Sequence, residues 1–324
     1  MEKDKYPLVS IIIPCYNNSK YISAAIDSAL NQSYPNKEVI VIDDGSTDAS
    51  VDVIKKYSNK IKWETGSNRG ACAARNRGIE LAQGDYIKFL DGDDVLVNQS
   101  LNYQIQILSK SKGSNIVICG CHLNVDEYLN FLSNSTDLSI LNRDEDQLIS
   151  ILIKSPILAA SLYNIEHLKA IDGFDEKLMR FQDVDLNIRL CLNGIKFCYD
   201  KEVVFYHRNH NSPFRISNQS DFDLLNNTLY RINKWENLII NYKILRNEEQ
   251  LKAINFFYLA KLNLARLFFR SGLKEDGRKL FQEIGLNKQI LKQSSYLYYF
   301  LYDFLGFYNT EYLVYLLKKL RKGI

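Results

Sequence analysis

The chain has 324 residues, of which 46% are hydrophobic and 24% are charged, and its formal net charge is +3. This composition is typical of a globular protein with one large core and an appendage. No apolar run is long enough to cross a bilayer, and residues 1–7 are charged without an apolar core. The sequence therefore predicts neither a membrane-spanning helix nor a signal peptide.

The first 90 residues alternate short apolar runs with helical patterns. Apolar runs at 9–13, 39–42 and 86–90 predict buried strands, with a further candidate at 60–65. Asn17, Asn18 and Ser19 offer N-cap oxygens to the first helix. This alternation predicts an α/β fold with a mixed, mostly parallel sheet flanked by helices. The polar clusters follow the strands, at the edge where open α/β sheets bind ligands.

The remainder of the chain changes character near residue 220. The elements predicted before that point are a helix to about 111, a strand over 115–121, a loop or lid over 124–143, a helix over 183–193 and a strand over 196–206. From about 221 the pattern is helical, with a hairpin formed by 260–269 and 276–284. We therefore place a domain boundary between residues 219 and 220.

The net charge changes at the same boundary. Residues 220–324 contain 17 basic and 10 acidic residues, whereas residues 1–219 contain 24 and 28. The acidic part suits a metal site and the basic part suits an anionic surface, although solvated helix faces would also explain the difference.

The six cysteines fall mostly inside apolar runs, without the spacing of a disulfide framework. Cys119 and Cys121 lack Cys or His partners at zinc-finger spacing, so burial in a strand is the favoured interpretation. This pattern indicates a reduced chain in the cytoplasm, with peripheral attachment to the inner face of the cell membrane as an open alternative.

An acidic cluster, Asp91-Gly92-Asp93-Asp94, follows the predicted strand at 86–90. Two carboxylates one residue apart can converge on one hard cation. Mg²⁺ or Mn²⁺ prefers such oxygen ligands and takes the rest of its shell from water and a diphosphate. Gly92 would let the backbone approach a nucleotide closely. By itself the cluster also fits a solvated loop or a helix cap.

Two more polar clusters follow predicted strands. In Asp43–Asp48, an aspartate can accept a hydrogen bond from a base N–H, although Ser46–Asp48 also suit a capped helix start. Asn68-Arg69-Gly70 and the later Arg75 offer guanidinium groups to a base or diphosphate.

The order of these clusters carries more information than any one of them. The series VSIIIPCYN (9–17), DDGSTD (43–48), NRG (68–70) and DGDD (91–94) closely resembles the family-2 glycosyltransferases of the GT-A fold, of the bacterial surface-polysaccharide type. The resemblance covers about residues 8–212. It implies a GT-A type, Rossmann-like nucleotide-sugar-binding and catalytic domain over 1–219, followed by an α-helical region over 220–324.

The resemblance assigns roles by position. The residues that it places around the nucleotide-sugar are Pro14, Tyr16, Asp44, Asn68, Arg69, Asp91 and Gly92. The Tyr16 ring would lie against the base, and Asp44 would accept a hydrogen bond from the base edge. The cofactor that it implies is Mn²⁺ or Mg²⁺, with Asp91, Asp93 and His210 as ligands and Asp93 as the firmest of them.

The segment Phe181-Gln182-Asp183-Val184-Asp185 resembles the acceptor-side motif of the family. The family usually has Glu where Gln182 stands, so this chain has one charge fewer. Asp183 matches the family's general base, which takes the proton of the acceptor hydroxyl as it attacks the anomeric carbon with inversion. The residues alone also allow a carboxylate stabilised by the helix dipole. Asp185 is interpreted as structural or as an acceptor contact.

Residues 207–212 resemble the family's Arg-x-His segment, where His210 would complete the metal shell or touch the diphosphate and Arg208 would offset phosphate charge. A solvated loop histidine is the alternative. The two tryptophans, Trp63 and Trp235, are not in the Gln-x-x-Arg-Trp motif of processive synthases. The sequence therefore predicts the addition of single sugars.

Residues 296–324 are rich in tyrosine and phenylalanine and end in a basic, leucine-striped segment. They suit an interfacial helix on an anionic membrane. A bundle that packs on the catalytic domain, or a homodimer face, stays open.

Together these features predict an inverting, non-processive hexosyltransferase, with a UDP-sugar as the favoured donor and a glycan or lipid-linked saccharide as acceptor, in surface-polysaccharide synthesis. No nucleic-acid partner is expected. The alternative is a non-catalytic nucleotide-sugar or glycan-binding module, which only Gln182 supports. A nucleotidylyltransferase would need a Gly-rich basic loop where residues 14–17 stand.

Overall fold

A computed structural model describes residues 6–111, 115–135, 137–142, 147–210, 222–240 and 247–284. The chain divides into two compact units, residues 1–219 and 220–324. The six cysteines all lie in the described part and are free thiols there.

The described part of the first unit contains one mixed sheet of nine strands. The strands are β1 (Val9–Cys15), β2 (Lys37–Asp43), β3 (Lys62–Thr65), β4 (Tyr86–Phe89), β5 (Val95–Leu96), β6 (Ile116–Val125), β7 (Phe131–Asn134), β8 (Ser161–Asn164) and β9 (Lys196–Arg208). Their order is β3-β2-β1-β4-β8-β6-β9-β5, and β7 pairs with β6. Neighbours among β3, β2, β1 and β4 are parallel, as are β6 and β9, whereas β5, β7 and β8 pair antiparallel. The predicted mixed α/β fold is confirmed.

Helices follow most of these strands. They are α1 (Ile22–Leu30), α2 (Ser50–Lys55), α3 (Ala71–Leu81), α4 (Ser100–Lys110), α5 (Gln147–Ile153), α6 (Ile165–Ala170) and α7 (Gln182–Leu192). In α1, the buried residues Ile22, Ala25, Ile26 and Ala29 form a stripe with helical spacing. Every residue of β1 is buried, which explains its unbroken apolar run.

One basic side chain lies inside this core. Lys88, in β4, is fully buried and donates a hydrogen bond to Gln104 Oε1 at 2.7 Å. Gln104 in turn donates to the carbonyls of Ile118 and Ala160 at 3.1 and 3.0 Å. Burial lowers the pKa of Lys88 to about 7, because desolvation disfavours the charged amine.

The prediction of a loop or lid over 124–143 is wrong for most of the described residues in that range. β6 extends to Val125 and turns back into β7, and a short 3₁₀ helix covers Ser139–Asn142. Asp126 closes the turn: its carboxylate accepts from the backbone N–H groups of Tyr128 and Asn130 at 2.9 and 2.8 Å. The local polarity that predicted a loop therefore belongs to a hairpin stabilised by one aspartate.

The described part of the second unit is helical: α8 (Phe222–Ile240), α9 (Asn247–Arg270) and α10 (Lys274–Ile284). A Cβ added at Gly277 of α10 would lie 2.7 Å from the carbonyl oxygen of Ala265 in α9, so the predicted hairpin needs glycine there. None of the described helices combines the length and the apolar character needed to cross a membrane. Residues 296–324, predicted to contact a membrane, lie outside the described residues.

Candidate active site

Four turns follow the carboxyl ends of β1 to β4. Because these strands are parallel neighbours, the turns lie along one edge of the sheet. The turns after β2, β3 and β4 contain the sequence clusters at 43–48, 68–70 and 91–94. Pro14 lies near the end of β1, and Tyr16 lies in the turn that follows it. The edge is thus where the sequence predicted a binding site.

Asn17, which has a left-handed backbone (φ 49°), joins the turn after β1 to the turn after β2. Its Oδ1 accepts from the N–H groups of Thr47 and Asp48 at 2.8 and 3.3 Å, and its own N–H donates to Ser46 Oγ at 2.9 Å. The N-cap role predicted for Asn17, Asn18 and Ser19 is wrong. The first residue of α1 is Ile22, and in the described structure no side chain caps it. The signal available in the sequence was the tolerance of Asn for left-handed backbone.

Asp44 joins the turn after β2 to the turn after β3. Its two carboxylate oxygens accept from the N–H groups of Arg69 and Gly70, both at 2.8 Å. The Arg69 guanidinium pairs with Glu176 at 2.9 Å, whereas Asn68 is exposed. Each carboxylate oxygen has a second lone pair that could accept a further hydrogen bond. Recognition of a base edge by Asp44 therefore stays a prediction.

Pro14 is buried, and the Tyr16 ring is exposed at the edge of the sheet. A Cβ added at Gly92 would lie 3.0 Å from the carbonyl oxygen of Pro14 and 3.1 Å from Asn18 Nδ2. Gly92 therefore lets the turn after β4 approach the end of β1 and Asn18 closely. Its predicted approach to a nucleotide stays a prediction.

Arg75, in α3, bridges two parts of the site. It is 6% exposed, and its Nη2 donates to Asp91 Oδ1 at 2.7 Å while its Nη1 donates to Gln182 Oε1 at 2.6 Å. It thereby connects the turn at 91–94 to the segment that contains Asp183. The predicted contact of Arg75 with a base or diphosphate stays a prediction, since each terminal nitrogen carries a second N–H group.

Asp183 lies in the first turn of α7. Burial raises the pKa of its carboxyl, while the N–H of Val184 and the positive charge of Arg75 oppose that shift. A carboxylate with a raised pKa is a better proton acceptor than a solvated aspartate, as a general base requires. Asp185 is fully buried and accepts from Arg189 Nε at 2.8 Å, which supports its structural interpretation.

Asp93 and His210 lie together, with His210 Nε2 2.9 Å from Asp93 Oδ2. The His210 ring also packs on Tyr21, with centroids 4.7 Å apart. Arg208 donates through Nε to the Asp93 carbonyl at 2.8 Å and through Nη1 to the Glu127 carbonyl at 2.7 Å. This guanidinium thus fastens the acidic turn to the β6–β7 hairpin, and because both acceptors are neutral carbonyls, its predicted offsetting of phosphate charge stays a prediction.

Asp94, the last residue of the acidic cluster, points into the protein. Its carboxylate accepts from the N–H of Arg208 at 2.8 Å and lies 3.3 Å from His207 Nδ1. Burial raises the pKa of Asp94. It anchors the turn and leaves Asp91 and Asp93 as its more accessible carboxylates.

The donor types at this turn suit a divalent metal. Within the described ranges, no three His, Cys, Asp or Glu side chains form a group that would hold an ion by themselves, so the predicted trio of Asp91, Asp93 and His210 is not assembled there. Mg²⁺ nevertheless binds commonly through one or two carboxylates together with substrate phosphates. Asp91 and Asp93, with His210 beside Asp93, fit that arrangement once a diphosphate supplies the remaining ligands.

Residues 10–171 match the protein family described as glycosyl transferase family 2. An uncharacterized glycosyltransferase of Haemophilus influenzae is 32% identical over 79% of this chain and 96% of its own length. One from Rickettsia bellii is 36% identical over 63% of this chain, but this region is only 30% of that protein. Chondroitin synthase of Escherichia coli is 29% identical over 70% of this chain and 33% of its own length.

Solved structures share the fold. The crystal structure of residues 1–349 of S. aureus TarS superposes with a TM-score of 0.63 at 20% identity, over 98% of this chain and 92% of that one. The same fragment in complex with UDP-GlcNAc gives a TM-score of 0.61 at 18% identity, over 83% and 89% of the two chains. The GT-A fold expected from the sequence is confirmed.

Proposed function

Since the chain belongs to glycosyl transferase family 2, we propose that it transfers a single sugar from a nucleotide diphosphate sugar to an acceptor hydroxyl, with inversion at the anomeric carbon. One observation carries the proposal: Arg75 binds Asp91 and Gln182, and thereby brings the acidic turn next to the segment of Asp183. A donor-binding group and a candidate base thus belong to one hydrogen-bonded unit.

A UDP-sugar is the proposed donor. S. aureus TarS, which shares the fold, has been crystallised with UDP-GlcNAc, and this supports a donor of the same class here. We assign the donor to the edge formed by the four turns, because open α/β sheets bind ligands at the carboxyl ends of their strands. Tyr16 would pack on the base, and Asp44, with its remaining lone pairs, would accept from it. Pro14, Asn68 and Arg69 flank these two positions in the neighbouring turns.

Asp183 is the proposed general base. It would accept the proton of the acceptor hydroxyl while that oxygen attacks the anomeric carbon from the face opposite the diphosphate, so the configuration inverts. The C–O bond to the diphosphate breaks as the new glycosidic bond forms, and no covalent enzyme intermediate is needed. Asp183 is half-buried, and desolvation raises the pKa of its carboxyl, which favours this step.

Mn²⁺ or Mg²⁺, bound by Asp91 and Asp93 with His210 as a neighbour, would stabilise the negative charge of the departing diphosphate. The protein's own part at this turn is to orient the ligands. Arg208 fixes the backbone at Asp93, and the buried Asp94 anchors the end of the turn.

The acceptor proposed is a glycan or a lipid-linked saccharide in surface-polysaccharide synthesis. The transfer is proposed as non-processive because the Gln-x-x-Arg-Trp motif is missing from the sequence. Attachment to the inner face of the membrane through residues 296–324, and a homodimer, belong to the same proposal.

The test is a screen of UDP-, GDP- and dTDP-sugars for release of the nucleoside diphosphate, with and without Mn²⁺ or Mg²⁺. We expect one UDP-sugar to be turned over only with the metal. Asp183→Asn should lower transfer by about 10²- to 10⁴-fold and leave nucleotide affinity unchanged. Asp93→Ala should instead weaken metal-dependent nucleotide binding.

Asp52→Asn is the matched control, since this carboxylate is exposed on α2; it should retain full activity. Normal turnover by Asp183→Asn would refute the assignment of the base. Nucleotide binding without turnover of any donor and acceptor would favour the binding-module alternative.

A further inference from the structure

Gln182 is the first residue of α7, and its side chain uses both ends of the amide. Its Oε1 accepts from Arg75 Nη1 at 2.6 Å. Its Nε2 donates to the carbonyls of Leu178 and Met179 at 3.1 and 3.2 Å. One side chain thus joins Arg75 to residues 178–181, which we call the capping loop.

The chemistry of the partners determines the orientation of this amide. The Arg75 guanidinium is only a donor and the two carbonyls are only acceptors, so the oxygen must face Arg75 and the nitrogen must face the capping loop. A glutamate at this position would accept from Arg75 but would place an acceptor against both carbonyls. Donation to the capping loop therefore depends on the amide.

The capping loop has a conformation that needs support. Phe181 has a left-handed backbone (φ 60°), which is unfavourable for a residue with a large side chain. Its carbonyl accepts from the Asp185 N–H at 3.0 Å, and the loop leads directly into Asp183. The side chains of Met179 and Phe181 are 43% and 51% exposed, so the loop presents an apolar surface beside the candidate base.

Gln182 also affects the charge balance around Arg75. With a neutral residue at 182, the buried Arg75 guanidinium makes its ion pair with Asp91 without a second bonded carboxylate. A glutamate at 182 would add a second negative charge beside this guanidinium and next to Asp183, and would thereby weaken the attraction between Arg75 and Asp91. The neutral amide therefore leaves the Arg75–Asp91 pair intact while it holds the loop.

We propose that Gln182 is a positioning residue: its amide holds the capping loop in the conformation that places Asp183 and an apolar acceptor surface, while it preserves the bond from Arg75 to Asp91. The kinetic part of this inference rests on the proposed function. The structural part does not, because the two ends of the amide act on the folded chain whether or not it transfers sugar.

Two near-isosteric variants separate the two ends of the amide. Gln182→Met removes donor and acceptor without adding charge, and Gln182→Glu keeps the acceptor and adds charge. Hydrogen exchange of peptides that cover 178–185 should be about tenfold faster in both, since each lacks the hydrogen bonds to the loop. Exchange elsewhere in the sheet should stay as in the wild type. Gln106→Glu, at an exposed position on α4, is the matched control.

Kinetics then test the coupling to Asp91. Both variants should lower kcat by about tenfold, the effect expected from a loosened base. Only Gln182→Glu should also raise the KM for the donor, by about threefold or more, because its added charge weakens the Arg75–Asp91 pair.

Wild-type exchange at 178–185 in either variant would overturn the proposal, as would acceleration spread over the whole sheet. An equal donor KM in the two variants would overturn the charge argument. If the wild type transfers no sugar, the proposed function fails, but the exchange data still decide the role of the amide.

Discussion

Replacement of Lys88 by methionine should stabilise the first unit, and the gain should depend on pH. Lys88 is fully buried in β4, and its pKa falls from 10.5 in the unfolded chain to about 7 in the folded one. The folded pKa is depressed, so between these values the unfolded chain binds more protons than the folded one. Wild-type stability must therefore rise with pH across that window, whereas the methionine variant lacks this contribution.

The linkage relation gives the magnitude. Burial of the amine costs the wild type about 4 kcal/mol at pH 7 and about 2 kcal/mol at pH 9, on the basis of the two pKa values. The advantage of Lys88→Met should therefore shrink by about 2 kcal/mol between these pH values. The variant also leaves Gln104 Oε1 without the amine, but that cost does not change with pH.

Urea unfolding at several pH values measures this difference. A Trp235→Phe background leaves Trp63, in β3, as the fluorescent reporter for the first unit. Lys60→Met, at an exposed position, is the control and should keep a constant difference from the wild type. If the advantage of Lys88→Met is the same at pH 7 and pH 9, the amine does not titrate in the core and the reasoning is refuted.

Three further outcomes follow from the structure. The transfer rate should fall as pH falls and Asp183 is protonated, with a midpoint above the usual aspartate pKa because burial raises it; a kcat profile that is flat down to about pH 3.9 would contradict this. Arg208→Met loses two hydrogen bonds to backbone carbonyls, each worth about 1.5–3 kcal/mol. Hydrogen exchange of the backbone at 126–131 should therefore accelerate, and unchanged protection there would refute the fastening role of Arg208. Gly78→Ala would place its Cβ 2.3 Å from Ile12 Cγ2. Overpacking should cost about 1–3 kcal/mol of stability, more than the gain of about 1 kcal/mol in helix propensity. Urea unfolding will show whether the free energy of unfolding falls, as expected.

Much of the fold could be predicted from local patterns. The buried runs of β1 and β2, the stripe of α1 and the acidic turn after β4 each depend on a few consecutive residues. The boundary of the helical region near 220 is likewise a local change of pattern, and it coincides with the division into two compact units.

The antiparallel insertion of β8 between β4 and β6 was not predictable in this way. β8 has four residues, and its place in the sheet depends on pairing with strands that lie far from it in sequence. The hairpin at 116–134 was missed for a similar reason, since a strand of four exposed residues resembles a loop until its partner is known.

The residue types at the strand ends were readable from the sequence, because the acidic, amide and basic clusters stand in a recognisable order along the chain. Their partners were not. Arg75 and Gln182 are 107 positions apart, and Asp93 and His210 are 117 apart. Sequence alone thus determined the family of the chain and the polar groups that follow its strands. Only the tertiary structure decided which groups bond there, because a hydrogen bond depends on distance and direction in space, and local pattern specifies neither across so many residues.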